Sequence, residues 1–407
     1  MEEKVIFHID VNSAFLSWEA VSRLKNNRDD VDIRTIPSAV GGDQSKRHGI
    51  VLAKSIPAKA YGIKTGEPLV SAYRKCPNLM VVPTNFTVYQ QYSKAFMDIL
   101  REYSPDVEKY SIDEAFVDMT GTRRLFGEPE EVACKIKNRI RDELGFTVNI
   151  GISSNKLLAK MASDFKKPDM VHTLYRGEIE EKMWPLPIEE LFFVGGATAD
   201  KLRKFGIKTI GDLAKTDKEL IRYHFKKHGE IIWNFANGID TALVETAAEE
   251  NKGYGNSTTI PFDVTDASEA KLVIMSLSET VAMRLRKADV KAEVISVSLK
   301  SDDFFRESHQ MVLDAPTNIT SEIYEYACKL FDELWEGKPI RLIGISTGKL
   351  KNRDEGRQLD LFSYDNYEKY EKLDAAVDKI RGKYGNDSIK RASFMADDRI
   401  EHIHTKK

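Results

Sequence analysis

Three carboxylates stand out because each ends or lies within a segment that has the pattern of a buried strand. Asp10 ends the apolar run at residues 4–10, and the consecutive pair Asp113 and Glu114 lies inside a second run at 107–120. Consecutive side chains of a strand face opposite sides of a sheet, so this pair can share one ion only where the backbone turns. A hairpin would supply that turn and place the pair beside the end of the first strand.

Oxygen ligands of this kind suit magnesium, which keeps several waters and takes further ligands from substrate phosphates. Two such ions would activate a hydroxyl nucleophile and stabilise a leaving pyrophosphate. The alternative from composition alone is a set of solvated acids at a hairpin.

The surrounding chain predicts the elements that must position these carboxylates. A third strand-like run covers 147–153, and helical stretches at 89–103 and 130–144 lie on either side of the second run. In the later helix, apolar residues recur every four positions. Strands separated by single helices indicate an α+β sheet layer.

The other segments differ from this layer in composition. Residues 12–77 carry glycine-rich and basic stretches, which indicate a subdomain inserted after the first strand. Residues 166–240 are predicted to be helical, with short turns at Gly195-Gly196, Gly206 and Gly229. The acidic residues 241–252 are interpreted as a linker.

A second, smaller α+β unit is expected after the linker. Its predicted strands cover 294–300 and 341–350, and its predicted helices cover 268–288 and 320–335. A charged connector then leads into a helical tail with an amphipathic stretch that contains Tyr370, Leu373, Val377 and Ile380.

Length and composition set the broad class. The chain has 407 residues, 42% of them hydrophobic and 31% charged, which predicts several domains of a soluble globular protein. It has no apolar run close to the roughly 18–20 residues of a membrane span, and its first residues lack signal-peptide character, so we expect a cytoplasmic protein with no membrane partner. Cys76, Cys134 and Cys328 are too few and too scattered for a disulfide framework, and are interpreted as ordinary thiols.

The net charge of −3 argues, at first sight, against nucleic acid as a ligand. The charges are unevenly distributed, however. Residues 12–77 hold 11 basic and 6 acidic residues, whereas 1–11 with 78–165 hold 12 basic and 16 acidic residues. The near-neutral total is therefore compatible with DNA binding by a basic inserted segment.

Separated motifs in one order carry a family resemblance. SIDEAF at 111–116, HIDVN at 8–12 and NIGISSNKLLAKMASDFKKP at 149–168 resemble motifs of the Y-family translesion DNA polymerases of the bacterial DinB and UmuC type. The resemblance implies an α+β multidomain fold shaped like a right hand. It assigns a ferredoxin-like palm to 1–11 and 78–165, fingers to 12–77, a helix-hairpin-helix thumb to 166–240, a linker to 241–252, an α+β little finger to 253–350, and a clamp-binding connector with a helical tail to 351–407.

The same resemblance implies roles for the carboxylates. Asp10, Asp113 and Glu114 would be the catalytic residues and would bind two Mg²⁺ ions, with the backbone carbonyl of Val11 as a further ligand. Asn12 departs from members that have a second aspartate at its position.

Nucleotide contacts are implied at further positions. Phe15 would be the aromatic steric gate under the sugar, beside Ala14, where relatives commonly have an aromatic residue; the alternative for Phe15 is an ordinary core residue. The other residues expected to contact the dNTP are Ile50, Leu52, Ser55, Lys59 and Lys167. The alternatives are strand core for Ile50 and Leu52 and a solvated surface lysine for Lys59.

The fingers motif AKSIPAKAYG at 53–62 departs from the family pattern at two of its positions. Lys59 stands where relatives have an arginine, and it loses the bidentate fork of a guanidinium. Ile56 stands where they have a tyrosine, and it cannot donate a hydrogen bond. The triphosphate contact is therefore expected to be weaker, or shared with Lys54 or Tyr61.

DNA and clamp contacts complete the implied set. Gly195 and Gly196 would hold a DNA phosphate at a helix-hairpin-helix turn, although an ordinary helical turn remains an alternative. Arg284, Arg286 and Lys291 are only candidates for duplex contacts. QLDLF, formed by Gln358, Leu359, Asp360, Leu361 and Phe362, resembles the peptide that binds the bacterial sliding clamp, with a tail strand packed on the body as the alternative.

The implied function is error-prone, template-directed DNA synthesis by a monomer. Its partners would be primer-template DNA, dNTPs and the beta subunit of the sliding clamp. Two alternatives stay open: a catalytically silent scaffold of the same fold that binds DNA and the clamp, and a nucleotide cyclase on a related sheet.

Overall fold

The structure is a computed structural model, and it describes residues 4–26, 31–42, 49–247, 250–352 and 364–396. The chain divides into two compact units. The first contains Met1–Gly42 and Ile50–Ala248, and the second contains Asp43–Gly49 and Glu249–Lys407.

The first unit contains both strands and helices. Its strands are β1 (Ile6–Val11), β2 (Ser38–Gly41), β3 (Val51–Lys54), β4 (Met80–Pro83), β5 (Val107–Lys109), β6 (Glu114–Asp118), β7 (Val148–Ser153) and β8 (Val171–Thr173). Its α-helices are α1 (Ala14–Lys25), α2 (Ile56–Ala60), α3 (Leu69–Lys75), α4 (Phe86–Arg101), α5 (Arg123–Phe126), α6 (Pro129–Leu144), α7 (Lys156–Ser163), α8 (Gly196–Lys204), α9 (Ile210–Lys215) and α10 (Lys218–Ala236).

A five-stranded sheet in the order β5-β6-β1-β7-β8 forms the centre of this unit. β1 is antiparallel to both β6 and β7, and it is buried along its whole length because α7 packs on one face of the sheet and the cluster that includes α4 and α6 on the other. The register places Asp10 opposite Glu114, and β5 pairs with β6 as the expected hairpin. The predicted arrangement of the carboxylate-bearing strands is therefore confirmed.

Gly151 allows α7 to approach this sheet closely. It lies on β7 opposite His8 of β1, and a Cβ at this position would be 2.0 Å from the carbonyl oxygen of Ala159 and 2.4 Å from the backbone nitrogen of Ser163. Both atoms belong to α7, so only glycine lets the helix pack at this distance.

Replacing Gly151 with alanine should therefore destabilise the first unit. We expect Gly151→Ala to lower the free energy of unfolding by about 3 kcal/mol or more, since the helix must shift to admit a methyl group. Chemical denaturation followed by circular dichroism would measure it. Gly177→Ala is the matched control, because no atom lies within 4 Å of its added Cβ. Equal stability of the two variants would contradict this account of the packing.

A smaller, three-stranded sheet in the order β3-β2-β4 lies in the predicted inserted segment. β4 completes this sheet by parallel pairing with β2, although residues 80–83 lie beyond the predicted boundary at 77. Conversely, α1 lies inside that boundary, but its residues Ala14, Leu16, Trp18 and Ala20 belong to the core of the five-stranded sheet. Sequence composition does not reveal that β4 belongs to the smaller sheet or that α1 packs on the five-stranded sheet.

The predicted helical segment 166–240 differs from expectation at two places. Residues 171–173 form β8, which pairs in parallel with β7 and extends the central sheet. Gly229 lies inside α10, and the non-helical residue is Lys226, with φ of 55°. Gly206 does end a helix, with φ of 81°, as its residue type predicts.

The first half of the predicted linker is fastened to the first unit. The Lys156 ammonium donates to the carbonyl oxygen of Leu243 at 3.3 Å, and the backbone N–H of Glu245 donates to the Glu108 carboxylate at 2.8 Å. Val244 packs beside Ile6. These contacts are mostly through the backbone, which explains why the residue pattern did not reveal them.

The second unit is a four-stranded sheet with helices packed on it. Its elements are β9 (Gly255–Val264), α11 (Ala267–Lys287), β10 (Val290–Ser301), β11 (Arg306–Thr317), α12 (Thr320–Leu334) and β12 (Ile340–Asn352), and the strand order is β11-β10-β12-β9. The predicted helices and the two predicted strands are confirmed, whereas β9 and β11 were missed. Both missed strands are rich in polar and partly exposed residues, so their apolar signal is weak.

The tail contributes α13 (Tyr364–Tyr384), which docks on the second unit through charged side chains. The Arg286 guanidinium contacts Asp374 at 3.0 Å and Asp378 at 2.6 Å. Glu279 of α11 receives Arg381 at 2.9 Å and, beyond the helix, Arg391 at 2.6 Å. Arg286 was a candidate for DNA contact, and the structure instead places it in this internal ion-pair network.

In the described part of the chain, no helix combines the length and the apolar character that crossing a membrane requires. Cys76, Cys134 and Cys328 are free thiols, as expected.

Candidate active site

A cleft of about 590 Å³ opens where β1 ends and α1 begins. The predicted site residues that line it are Asp10, Val11, Ala14, Phe15, Leu52, Ser55, Lys59, Asp113 and Lys167. Glu114 and Ile50 are not among the lining residues, although Glu114 lies directly opposite Asp10 across the sheet. The cleft thus brings together, at the end of β1, residues that are more than 150 positions apart in the sequence.

Asp10 lies at the floor of the cleft and is mostly buried. Burial raises the pKa of Asp10 to about 6, although the Lys167 ammonium acts in the opposite direction. Lys167 forms an ion pair with Asp10 and a second one with Asp164 at 2.8 Å. Burial alone would lower the pKa of Lys167, but the two carboxylates outweigh it and raise that pKa to about 12. At neutral pH both members of the Asp10–Lys167 pair are therefore charged.

Asp113 is held by the turn between β5 and β6. The Ser111 hydroxyl donates to its carboxylate at 2.7 Å, and the N–H of Val11 donates to its backbone carbonyl at 3.0 Å. The second contact ties the hairpin turn to the end of β1, so Asp10 and Asp113 reach the cleft from adjoining backbone.

Glu114 faces a buried network beside the cleft. Its carboxylate accepts a hydrogen bond from the Lys160 ammonium at 2.7 Å and lies 3.4 Å from His8 Nε2. Burial raises the pKa of Glu114, but hydrogen bonds from His8 and Lys160 outweigh burial and lower that pKa to about 2. Burial lowers the pKa of His8, so this ring is neutral. Glu114 is therefore held ionised by a lysine that lies on α7.

Two aromatic rings fix the position of Lys160. Its ammonium lies 5.4 Å from the ring centre of Tyr110 and 5.3 Å from that of Phe192, and the side chain is largely buried. Neither Lys160 nor His8 was predicted as a site residue. The only sequence signal was the position of Lys160 one helical turn before Asp164, on the helix that leads to Lys167.

The carboxylates fit a divalent cation in their chemistry, since hard oxygen donors suit magnesium. Asp10 pairs with the Lys167 ammonium, and Glu114 pairs with the Lys160 ammonium. The described residues contain no group of three His, Cys, Asp or Glu side chains arranged to hold a metal.

Phe15 projects from the first turn of α1 into the cleft and is supported from below. Its ring stacks on Tyr89 with centroids 4.9 Å apart and meets Phe86 edge to face at 5.9 Å. Ser13 precedes the helix in the left-handed region, with φ of 49°, and so turns the chain sharply after Asn12. The Asn12 amide donates to Thr147 at 3.2 Å. Phe15 is only partly buried, packs against the core of the five-stranded sheet and lines the cleft.

The fingers motif supplies one wall of the cleft. Lys54 and Lys59 both line it, and Ile56, with 64% of its surface exposed, lines it without any polar group. Tyr61 is not a lining residue, so Lys54 is the better placed of the two residues considered for sharing the triphosphate. Burial lowers the pKa of Lys54, and the charge of Lys59 acts in the same direction.

Ser55 has a structural role as well as a place in the cleft wall. Its hydroxyl caps α2 by accepting from Ala58 N–H at 3.1 Å, and it donates to the carbonyl of Ile36 at 2.7 Å. A dNTP phosphate that accepted from this hydroxyl would replace its hydrogen bond to Ile36. Leu52 is partly buried and lines the cleft, whereas Ile50 is 43% exposed and lies outside the lining, so it is not strand core.

Gly195 and Gly196 lie at the start of α8, with Gly195 as its N-cap. No atom would lie within 4 Å of a Cβ at either glycine, so the space beside both residues is open. The element before the turn is only a 3₁₀ helix, Ile188–Glu190, rather than the predicted full helix. The clamp-like peptide, residues 358–362, lies outside the described residues.

Comparison with known proteins matches three parts of the chain to one family. Residues 9–164 match the impB/mucB/samB family, 251–361 match the C-terminal domain of that family, and 176–207 match the IMS family HHH motif. These segments contain the residues that line the cleft, except Lys167 and Pro168, together with the four-stranded sheet of the second unit and the glycine turn.

Curated relatives cover nearly the whole chain. A DNA polymerase IV of Clostridium acetobutylicum is 48% identical over 96% of this chain and 98% of its own length. A DNA polymerase IV 2 of Bacillus subtilis is 37% identical over 97% of this chain and 95% of its own length. Among solved structures, a Y-family DNA polymerase chimera has a TM-score of 0.73 at 22% identity and covers 86% of this chain and 99% of its own. The last comparison concerns the fold, and it agrees with the predicted α+β multidomain architecture.

Proposed function

The chain belongs to the impB/mucB/samB family of bacterial Y-family DNA polymerases, and from this premise we propose that it carries out error-prone translesion synthesis on a DNA template. The reaction would transfer a nucleotide from a dNTP to the 3′-hydroxyl of a primer and release pyrophosphate. The observation that carries the proposal is the cleft in which Asp10, Asp113, Phe15 and Lys167 meet.

Each structural part has a proposed role. The five-stranded sheet would be the palm, the three-stranded sheet the fingers, the part of residues 166–240 outside β8 the thumb, and residues 253–350 the little finger. The open space beside Gly195 and Gly196, at the N-terminus of α8, supports the proposal that the thumb holds a DNA phosphate without reading sequence.

The proposed chemistry assigns a task to each residue of the cleft. Asp10, Asp113 and Glu114 would hold two Mg²⁺ ions together with the Val11 carbonyl, and these ions would activate the 3′-hydroxyl and stabilise the leaving pyrophosphate. The Lys167 ammonium would leave Asp10 and bind the triphosphate. Lys59 and Lys54 would add positive charge from the fingers side of the cleft. Phe15 would pack under the sugar and exclude a 2′-hydroxyl.

Primer extension with purified protein tests the function. We expect synthesis that requires primer-template DNA, dNTPs and Mg²⁺, and that continues past an abasic site in the template. Failure to extend even an undamaged template would favour the catalytically silent scaffold, for which the departures at Ile56 and Asn12 are the best support.

Lys160 provides a further test through Glu114. We expect Lys160→Met to lower primer extension by about 10–100-fold and to raise the Mg²⁺ concentration that gives half-maximal rate, because Glu114 loses the ammonium that orients it. Titration of the extension rate with Mg²⁺ measures both effects. Lys156→Met is the matched control, since Lys156 lies one turn earlier on α7 and pairs with Glu108 at 2.6 Å. An unchanged Mg²⁺ dependence in Lys160→Met would contradict the orienting role.

We also propose that the protein acts as a cytoplasmic monomer tethered to the beta sliding clamp by Gln358, Leu359, Asp360, Leu361 and Phe362. Stimulation of primer extension by added clamp should disappear in the double variant Leu361→Ala with Phe362→Ala. Extension without clamp should stay at the wild-type rate, because these residues lie far along the chain from the proposed catalytic residues.

A further inference from the structure

Helix α13 docks on the second unit by its charged side and exposes apolar side chains. Its inward side chains Asp374 and Asp378 bind Arg286, and Arg381 binds Glu279. The apolar residues that lie off this docked side are Tyr370 (40% exposed), Leu373 (49%), Ile380 (37%) and Tyr384 (66%), with Val377 partly buried between them. An ordinary surface helix has the opposite polarity, with apolar residues toward the core.

The spacing of these five residues is three, four, three and four. This is the a and d spacing of a heptad repeat, which forms a continuous seam along one side of a helix and packs against a second helix. We call the five residues the α13 stripe. The match to the family's C-terminal domain ends at residue 361, before the helix begins, so the stripe lies outside that domain.

The two edges of the α13 stripe differ in charge. The edge at the e positions holds Asp374 and Arg381, and both are engaged with the second unit. The edge at the g positions holds Lys369 and Lys383, both exposed, with Ala376 between them. Only the lysine edge is available to a helix that lies on the stripe, and residues at these edges determine which partner a coiled-coil helix accepts.

A second copy of the chain does not satisfy this pattern. In an antiparallel pair of α13 helices, the g edges face one another, so lysines would oppose lysines. In a parallel pair, each g edge faces an e edge, and the e edges are already covered by the second unit. Charge complementarity instead requires acidic side chains opposite Lys369 and Lys383.

We propose that the α13 stripe binds an acidic amphipathic helix of a partner protein. The partner helix carries apolar residues at heptad spacing, which pack on the stripe, and glutamate or aspartate opposite the lysine edge. This places a protein-docking surface on the tail, separate from both the cleft and the clamp-like peptide, and it does not depend on the polymerase reaction.

Binding of synthetic three-heptad peptides to the full-length protein tests the proposal. One fluorescent peptide carries leucine at its a and d positions and glutamate at e and g, and the second differs only in having lysine at e and g. Fluorescence anisotropy should show the acidic peptide binding at least about tenfold more tightly than the basic one. Equal binding of the two peptides would overturn the proposal.

Three variants locate the site. The pair Leu373→Glu with Ile380→Glu should abolish binding of the acidic peptide, whereas Val312→Glu, which places the same charge on a 61% exposed apolar residue of β11, should not change it. The pair Lys369→Glu with Lys383→Glu should reverse the preference in favour of the basic peptide. We expect each variant to stay folded, because these substitutions leave the ion pairs of Arg286 and Glu279 in place. Circular dichroism checks this.

Sedimentation velocity completes the test. The wild-type protein should remain monomeric over the concentrations used for anisotropy. Concentration-dependent dimers that disappear in the Leu373→Glu, Ile380→Glu variant would mean that a second copy covers the stripe, and would overturn the proposal of an acidic partner.

Discussion

Asp113→Ala should reduce the rate of primer extension by at least about a thousandfold, which corresponds to roughly 4 kcal/mol of lost transition-state stabilisation. The side chain enters the cleft beside Asp10, and its position is fixed by Ser111 and by the backbone contact to Val11. Alanine leaves the hairpin intact, because the contact to Val11 uses the backbone carbonyl. The loss should therefore be in the rate of the chemical step, measured by single-turnover extension, with little change in DNA affinity.

The control for Asp113→Ala is Asp98→Ala. Asp98 is a partly exposed carboxylate on α4 that pairs with Lys94 and Arg101 and does not line the cleft. This variant should extend primers at the wild-type rate. Near-normal extension by Asp113→Ala would remove the proposed two-metal mechanism, and it would do so without affecting the assignment of the family.

Phe15→Ala should allow the enzyme to incorporate ribonucleotides. The wild-type ring rests on Tyr89 and cannot move down to admit a 2′-hydroxyl, whereas alanine leaves space beneath the sugar. We expect the ratio of kcat/KM for dNTP over rNTP to fall by about a hundredfold or more, mainly because the rNTP value rises. Single-nucleotide insertion with matched dNTP and rNTP substrates measures this ratio.

The neighbouring ring provides a matched control for the gate. Phe86 touches Phe15 edge to face, belongs to the same aromatic group and is 51% exposed, but it is not a lining residue of the cleft. Phe86→Ala should keep most of the sugar discrimination. If both variants lost discrimination equally, the effect would come from loosening of the whole aromatic group rather than from a gate at Phe15.

The strands that carry the carboxylates could be predicted because each one leaves a local signal. β1, which carries Asp10, and its neighbour β7 are apolar runs bounded by polar residues. The adjacent Asp113 and Glu114 required a turn, which lies between β5 and β6. The same logic failed for β9 and β11, whose exposed polar residues give no apolar run. It also failed for β8, which is only three residues long.

Residues that line the cleft could be predicted from the sequence, whereas residues that hold other site residues in position could not. Asp10, Phe15 and Lys167 were found through motifs, since each belongs to a recognisable segment. Lys160 was missed because its role depends on the distance to Glu114 across two elements, and a lysine on a helix has no distinctive local pattern. Ser55 was predicted to contact the dNTP, and the structure adds a role that its motif did not reveal, since its hydroxyl caps α2.

The ionic docking of α13 has a consequence for how the tail can be studied. A chain cut after residue 363 would take Asp374 and Asp378 away from Arg286, and Arg381 and Arg391 away from Glu279, which is only 6% exposed. Removing such partners from buried charges costs about 3 kcal/mol or more. A defect of such a truncated protein could therefore come from lost folding or from lost partner binding. Point substitutions keep these ion pairs, so they can test the roles of the clamp-like peptide and of α13 separately.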